Sequence, residues 1–321
     1  MTFEANAASM DRSAIQSVAD LIAARGAQDP TRSALVLPDE HLDLTNADVS
    51  ARADAVAAVF LRAGLEHGKK LAVMLPNGAR YATCLFGAWR LGAIVVPIDP
   101  MLKGPDARDL IKASRASALA IDERRLVELS GLLGECDSLA AVFAVGRAPA
   151  EPLFRDFDAA LAAALEAKQS VEQSRPSPDD PAIEAYRFHT DSLEAVPRTH
   201  EALSTDAAHL VECLALTTED RGICFIPLGH TDGTTALVAA TAAGSGIAIP
   251  ERFEARRFWE LVAAQRATWL ALVPTQFLDL QFAGPPASKA HESVRVVMVA
   301  GKSVTAEAKE TFVARFGIDV A

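Results

Sequence analysis

The stretch that decides the fold reads Ile183-Glu-Ala-Tyr-Arg-Phe-His-Thr-Asp-Ser-Leu-Glu-Ala-Val-Pro-Arg-Thr-His200. It begins as a strand-like run, continues as a polar loop and ends at a Thr-His pair that opens a helix. Such a geometry can hold phosphate, because the unpaired N–H groups of a helix N-terminus favour anions. Here, however, no glycine or lysine lies between Tyr186 and His200, and Asp191 and Glu194 add negative charge. The sequence therefore predicts a loop of this shape without phosphate chemistry.

The composition is that of a soluble globular protein. The chain has 321 residues, of which 50% are hydrophobic and 23% are charged, and its formal net charge is −11. This length allows two cores or one large layered domain. The negative charge disfavours nucleic acid and anionic membrane surfaces as partners, since both attract basic patches.

Cysteine usage and the N-terminal sequence predict a cytoplasmic location. The four cysteines show no Cys-x-x-Cys spacing, and three of them lie in apolar periodic runs, which is typical of buried free thiols in a reducing compartment. The first residues lack the basic-then-apolar pattern of a signal peptide. No apolar run approaches the roughly 18 residues that a membrane span requires.

Short apolar runs alternate with amphipathic helical segments along the whole chain. A capping box at Thr45–Asp48 opens one such helix, and the run 71–75 is typical of a buried strand. The alternation predicts an α/β fold with two packed, mostly parallel layers covered by helices. A proline-bracketed stretch interrupts it, so we expect a first subdomain over 1–145, a connector over 146–180 and a second subdomain over 181–321.

Six further motifs occur in an order that resembles the N-terminal domain of the adenylate-forming (AMP-binding) acyl-CoA synthetase/ligase family. They are Leu44-Thr-Asn-Ala-Asp48, Lys70-Leu-Ala-Val-Met-Leu-Pro-Asn77, Gly92-Ala-Ile-Val-Val-Pro-Ile-Asp-Pro100, Pro227-Leu-Gly-His230, Val273-Pro-Thr275 and Val297-Met-Val-Ala-Gly301. The resemblance covers nearly the whole chain. It implies the layered α/β fold of that domain.

The resemblance also implies where a nucleotide would bind, and there the chain departs from the family. The family loop reads roughly Thr-Ser-Gly-Thr-Thr-Gly-x-Pro-Lys-Gly before its Thr-His pair. Aligned on that pair, Thr190 matches a threonine and Ser192 lies within the loop, but Phe188 and Asp191 replace glycines and Glu194 replaces the lysine. We therefore interpret Thr190 and Ser192 as remnants of a degenerate nucleotide site. Gly301 and Lys302 take the position of the family turn that lies against adenine, and they complete this degenerate set. For Lys302 the alternative is a solvated lysine on a strand-to-helix turn.

The resemblance places an organic substrate near His230, Gly233, Val273 and Pro274. These residues lie at or just after predicted strand ends, where ligand crevices form in open α/β sheets. For His230 the alternative is a histidine that only caps the next helix. For Asp232-Gly-Thr-Thr235 we expect an ordinary turn at Gly233, with Thr234 or Thr235 as the helix cap.

The chain ends before the segments that carry the metal-binding glutamate, the ribose-binding aspartate and the C-terminal catalytic lysine of the resembling family. We therefore expect a truncated, catalytically inactive pseudoenzyme without catalytic residues, metal or cofactor. A carboxylate or acyl pocket, a protein partner or a homodimer would then carry its role, unless the gene product is a relic. The alternative is an active carboxylate–CoA ligase that a separate C-terminal part completes, and it would use ATP, Mg²⁺ and CoA.

Overall fold

The computed structural model describes residues 17–171, 176–190, 192–282, 289–301 and 304–321. Its described strands form two seven-stranded sheets. The first sheet has the order β7 (Phe154–Asp156), β6 (Ala141–Val145), β5 (Ala118–Asp122), β3 (Lys70–Met74), β4 (Ile94–Pro97), β8 (Pro181–Phe188), β9 (Leu193–Thr199). The second has the order β14 (Asp319–Val320), β13 (Val296–Val299), β12 (Trp269–Leu272), β10 (Arg221–Cys224), β11 (Gly246–Ala248), β1 (Ser33–Leu37), β2 (Leu42–Thr45).

Helices connect most of these strands. They are α1 (Val18–Gln28), α2 (Asn46–Arg62), α3 (Ala79–Leu91), α4 (Gly104–Ser114), α5 (Glu123–Leu133), α6 (Phe157–Glu166), α7 (His200–Cys213), α8 (Thr231–Ala243), α9 (Phe258–Gln265), α10 (Pro274–Phe282) and α11 (Ala306–Phe316). Neighbouring strands run parallel except for β2 and β9, which pair antiparallel at the sheet edges. The predicted α/β class with mostly parallel strands is confirmed. In the described part of the chain, no helix is long and apolar enough to cross a membrane.

The alternation of side chains along each strand divides the core into layers. In β3, Leu71 and Val73 belong to a central cluster, whereas Ala72 and Met74 face an outer cluster with α4 and α5. In β12, Trp269 belongs to the central cluster and the residues on either side of Ala271 face α9, α10 and α11. The remaining helices fill the space between the two sheets. Both faces of each sheet are therefore buried, which explains why the strands read as continuous apolar runs.

Sheet membership does not follow the order of the sequence. The N-terminal strands β1 and β2 belong to the second sheet, through the parallel pairing of β1 with β11. Conversely, β8 and β9 belong to the first sheet, where β8 lies beside β4. The stretch 146–180 contributes α6 and the edge strand β7. The sheets thus exchange strands across the predicted boundaries at 145 and 181, and the division into subdomains stays a prediction.

The prediction of a continuous polar loop before His200 was wrong. Residues Leu193–Thr199 form β9, which pairs with β8 as a hairpin in which Tyr186 lies opposite Ala195. The pairing satisfies backbone groups that a loop would leave to water, and Leu193 packs with Tyr186 against the outer cluster of the first sheet. Pro197 is compatible with this strand because β9 lies at a sheet edge, where one side of the backbone needs no partner.

Candidate functional site

In the second sheet, the chain segments that follow two neighbouring strands lie on opposite faces of the sheet. After β10 the chain enters α8, which packs in the central layer and leads to β11. After β12, the neighbour of β10 on its other side, the chain enters α10, which packs on the outer face and leads to β13. Diverging connections of this kind open a crevice at the carboxyl ends of the two strands. We therefore place the candidate site between the ends of β10 and β12.

His230 lies at the β10 side of this crevice and caps α8. Its Nδ1 accepts a hydrogen bond from the N–H of Asp232 at 3.3 Å, and its side chain is 55% exposed. The Asp232 carboxylate lies equally close to Nδ1, so the backbone and the side chain of Asp232 both contact this nitrogen. The cap is His230, so the expectation of a cap at Thr234 or Thr235 was wrong.

Gly233 lies inside the first turn of α8, where the helix touches the end of β10. A Cβ added at this position would lie 2.3 Å from the carbonyl oxygen of Pro227. One residue further, the hydroxyl of Thr234 donates to the carbonyl of Leu228 at 2.7 Å. The predicted turn at Gly233 is therefore wrong, and the glycine instead permits a close approach of the helix to the strand end.

Val273 and Pro274 lie at the β12 side of the crevice. Val273 is the residue that precedes α10, and Pro274 takes the first helical position, where a missing N–H costs nothing. The side chain of Gln276 reaches back to accept a hydrogen bond from Val273 N–H at 3.0 Å, and it donates to the carbonyl of Phe225 at 3.3 Å. Gln276 thus fixes the two strand ends relative to one another. No local sequence pattern marks Gln276 for this role.

Asn77 links the crevice to the first sheet. It follows β3, and its amide donates to the carbonyl of Ile226 at 3.3 Å while accepting from the N–H of Leu228 at 2.8 Å. Close by, the hydroxyl of Tyr81 is buried without a hydrogen-bond partner, and burial raises its pKa. A Cβ added at Gly229 would lie 3.0 Å from this hydroxyl. The carboxyl ends of β3 and β10 therefore meet at one edge of the molecule.

Gly301 lies just after β13, the strand that neighbours β12. It follows β13 with a φ of 93°, in the left-handed region that favours glycine. The N–H of the preceding residue, Ala300, donates to the carbonyl of Leu272 at 2.9 Å, which brings this turn beside the end of β12. Lys302 lies outside the described residues. Gly301 is thus at the same sheet edge as His230 and Val273.

The turn of the hairpin between β8 and β9 presents Thr190 and Ser192 to solvent. The turn closes through the N–H of His189, which donates to the carbonyl of Ser192 at 2.9 Å. His189 Nε2 also lies 3.0 Å from the carboxylate of Glu194, and Arg187 lies 3.9 Å from it. Asp191 is outside the described residues. The carboxylate of Glu194 offsets the positive charge of Arg187, so the described side chains of this turn offer no surplus positive charge to an anion.

Other catalytic groups are not evident in the described part of the chain. No cluster of three or more His, Cys, Asp or Glu side chains there could hold a metal ion. Cys84, Cys136 and Cys224 are buried free thiols, as expected, and Cys213 is exposed. Burial raises the pKa of Cys224, the thiol at the end of β10, to about 12. This thiol stays protonated near neutral pH and is a poor nucleophile.

Comparison with known proteins identifies the family to which this chain belongs. The family model described as AMP-binding enzyme matches residues 22–321. The chain therefore belongs to the AMP-binding enzyme family, as the motifs indicated.

Two curated relatives are CoA ligases. The chain is 30% identical over 307 residues to the sulfoacetate–CoA ligase of Cupriavidus necator, covering 94% of this chain and 58% of the relative. It is 27% identical over 279 residues to the crotonobetaine/carnitine–CoA ligase of Citrobacter koseri, covering 85% and 53%. The chain thus spans somewhat more than half the length of the relatives that it matches.

Solved structures show the same fold. An anthranilate–CoA ligase in complex with anthranoyl-AMP superposes with a TM-score of 0.84 at 20% identity, covering 95% of this chain and 59% of that one. A long-chain-fatty-acid–CoA ligase from Archaeoglobus fulgidus superposes with a TM-score of 0.81 at 19% identity, covering 94% and 60%.

Proposed function

We propose that this chain is an acyl-CoA-ligase-like module that binds a small carboxylate and does not adenylate it by itself. The observation that carries the proposal is the divergence of the chain after β10 and β12, the topology at which such sheets form a crevice, with His230 after one strand and Val273 and Pro274 after the other. Crevices of this type are the usual ligand sites of open α/β sheets.

Two helix N-termini and a histidine at this crevice favour a carboxylate as ligand, against the one negative charge of Asp232 beside His230. Helices α8 and α10 both begin there, and the N-terminus of a helix carries a partial positive charge. The half-exposed ring of His230 adds a polar side chain at the same place. The first turn of α8 lies close against Pro227 at Gly233, which sets the position of the helix N-terminus relative to the end of β10.

The hairpin turn explains why we do not propose adenylation. Transfer of a carboxylate to the α-phosphate of ATP needs positive charge where negative charge develops, and loss of one such contact costs about 100- to 1,000-fold in rate. The resemblance puts Glu194 at the position of the family lysine, and Glu194 pairs with Arg187 and His189. The side chains of the turn therefore stabilise each other rather than a nucleotide.

The second candidate is ATP-dependent carboxylate–CoA ligation, and one observation favours it. The 30% identity to a sulfoacetate–CoA ligase extends over 94% of the chain. In this case ATP, Mg²⁺ and CoA are the co-substrates and cofactors, and the chain acts together with a separate C-terminal part. A cytoplasmic location and a protein partner or homodimer are likewise proposals from the sequence.

Magnesium-dependent ATP–pyrophosphate exchange separates the two candidates. We expect no exchange above a protein-free control with any of a panel of small carboxylates. Glu194→Lys alone should not restore nucleotide binding, because the turn still lacks the glycines that admit phosphate to the backbone. Robust exchange by the unmodified chain would establish the second candidate instead.

Thermal unfolding with the same carboxylates tests the binding proposal directly. A ligand at 100 times its dissociation constant stabilises the folded state by about 2.7 kcal/mol. His230→Ala should abolish the rise in Tm, whereas His209→Ala, at an exposed position of α7, should leave it intact. If no carboxylate raises Tm, the binding proposal is wrong. If the rise persists in His230→Ala, the ligand binds elsewhere.

A further inference from the structure

A second cavity lies at the same edge of the second sheet but on its outer face. Its volume is about 190 Å³, and it is bounded by the residues that follow β1, β10 and β11 and by one side of α9. This volume is smaller than the 300 Å³ or more of a typical drug-sized pocket, so it suits only a small ligand. Its apolar wall consists of Pro38, Phe225, Pro250, Phe258 and Leu261.

Two of these wall residues form a rigid aromatic surface. The rings of Phe225 and Phe258 stack with centroids 5.3 Å apart, and Phe253 packs edge-on against Phe225 at 5.3 Å. Buried aromatic pairs in such arrangements gain energy beyond that of area burial alone. The aromatic part of the wall is therefore held in place by its own ring contacts.

The mouth of the cavity carries charges of both signs. Glu254 pairs with Arg252 at 3.1 Å and with Arg257 at 3.8 Å, so one carboxylate holds two guanidinium groups. Asp39 lies at the same mouth, where its carboxylate accepts a hydrogen bond from the N–H of Glu251 at 2.8 Å. Glu260, in the first turn of α9, adds another carboxylate.

We propose that this cavity binds a free hydrophobic α-amino acid. Its carboxylate would bind Arg252 and Arg257, which retain N–H donors beyond those that face Glu254. Its ammonium group would bind Asp39 or Glu260, and its side chain would lie on Phe225 and the other apolar residues.

The presence of charges of both signs favours a zwitterion over simpler ligands. Three carboxylates and two guanidinium groups line the cavity. A simple anion would face the surplus of carboxylates, and a simple cation would face both guanidinium groups. A zwitterion is neutral overall and satisfies groups of both signs, so it avoids both penalties.

This site is separate from the crevice of the proposed function. The side chain of Phe225 belongs to the outer cluster, whereas those of Ile226 and Leu228 belong to the central one. The segment that follows β10 therefore lies between the two proposed ligand sites. The inference stands whether or not the crevice binds a carboxylate.

Calorimetric titration of the full chain with three matched classes of probe, namely amino acids, acids and amines, tests the proposal. We expect saturable binding of L-leucine or L-phenylalanine. The deaminated acids, 4-methylpentanoate and 3-phenylpropanoate, and the decarboxylated amines, isoamylamine and phenethylamine, should each bind at least about tenfold more weakly, because each lacks one charge-assisted contact.

Variants place the binding in this cavity. Arg257→Ala should weaken amino acid binding about tenfold or more, and Ala264→Phe should block it by filling the mouth. Arg256→Ala, at the adjacent exposed arginine outside the lining, is the matched control and should bind as the unmodified chain does. Folding of each variant is checked by its Tm. Absence of amino acid binding, equal binding of the acids or amines, or binding unchanged in a folded Ala264→Phe variant would each overturn the proposal.

Discussion

The side-chain oxygen of Asn77 accepts a hydrogen bond from the backbone N–H of Leu228 at 2.8 Å. Asn77 follows a strand of the first sheet and Leu228 follows a strand of the second, so this bond joins the two sheets at their carboxyl edges. Because Leu228 is 1% exposed, its N–H has no access to water. The bond therefore positions the segment that carries His230.

Asn77→Ala should lower the free energy of unfolding by about 1–3 kcal/mol, since it leaves the buried N–H of Leu228 unsatisfied. Urea unfolding measures this change. Gln169→Ala is the control, because Gln169 bonds Arg62 on the surface and its loss should cost less than about 0.5 kcal/mol. Equal effects of the two substitutions would show that Asn77 does not stabilise the segment that follows β10.

Two glycine substitutions should change stability in opposite directions. Gly233→Ala places a methyl group 2.3 Å from the carbonyl of Pro227, so we expect destabilisation of about 1–3 kcal/mol. Gly131→Ala, in α5, meets no atom within 4 Å and should stabilise the protein by about 0.5–1 kcal/mol. Thermal unfolding of both variants checks this expectation. A neutral Gly233→Ala variant would show that α8 does not press against the end of β10.

His200 should make stability depend on pH in the acid range. Burial lowers its pKa to about 4, although the neighbouring Asp180 and Asp20 act in the opposite direction. The unfolded chain, with a histidine pKa near 6.5, therefore binds more protons between pH 4 and 6.5. Stability should rise with pH across this window and be lost as pH falls through it, by up to about 3 kcal/mol.

The pH dependence can be assigned with one variant. Both ring nitrogens of His200 lack hydrogen-bond partners, and its ring packs edge-on against Trp89. His200→Phe should keep this packing and flatten the slope of unfolding free energy between pH 4 and 6.5. His209→Phe, at an exposed position of the same helix, should leave the slope unchanged. A slope retained in His200→Phe would assign it to other groups.

The ion pair of Arg295 with Asp220 should contribute measurably to stability. Burial opposes ionisation of Asp220, but hydrogen bonds from Arg295, Thr268 and Thr217 outweigh it and lower the pKa of this carboxyl. Arg295→Met removes the charged partner of the Asp220 carboxylate, whose side chain is only 8% exposed. We expect this change to lower the free energy of unfolding by about 1–3 kcal/mol near pH 7.

The pair of Arg295 with Asp220 should also make the free energy of unfolding depend on pH in the acid range. Arg295→Met should reduce this dependence. Because the folded-state pKa of Asp220 is depressed, its contribution is present above the unfolded pKa and is lost as pH falls through the folded one. Arg187→Met is the control, since its pair with Glu194 is more than half exposed on both sides and should contribute less than about 1 kcal/mol. Denaturant unfolding at two pH values tests both expectations.

The fold class could be predicted from the sequence because strands that are buried on both faces appear as short apolar runs. These runs alternate along the chain with amphipathic helical segments. The sequence also placed His230 and Val273 at strand ends, for the same reason. It missed Asn77 and Gln276, whose partners lie far along the chain or across the sheet. It also missed β9, because the polar composition and Pro197 are typical of a loop and only pairing with β8 makes a strand there.

The pairing of β1 with β11 has a consequence for synthesis on the ribosome. Leu35 lies opposite Ile247, so the apolar run of β1 waits for about 200 further residues, or about 10–40 s of translation, before its partner emerges. During this interval β1 and β2 can form only a hairpin, which is marginally stable in isolation. The nascent chain therefore exposes an unsatisfied apolar edge for most of its elongation, and a chaperone that shields such segments should increase the yield of folded protein.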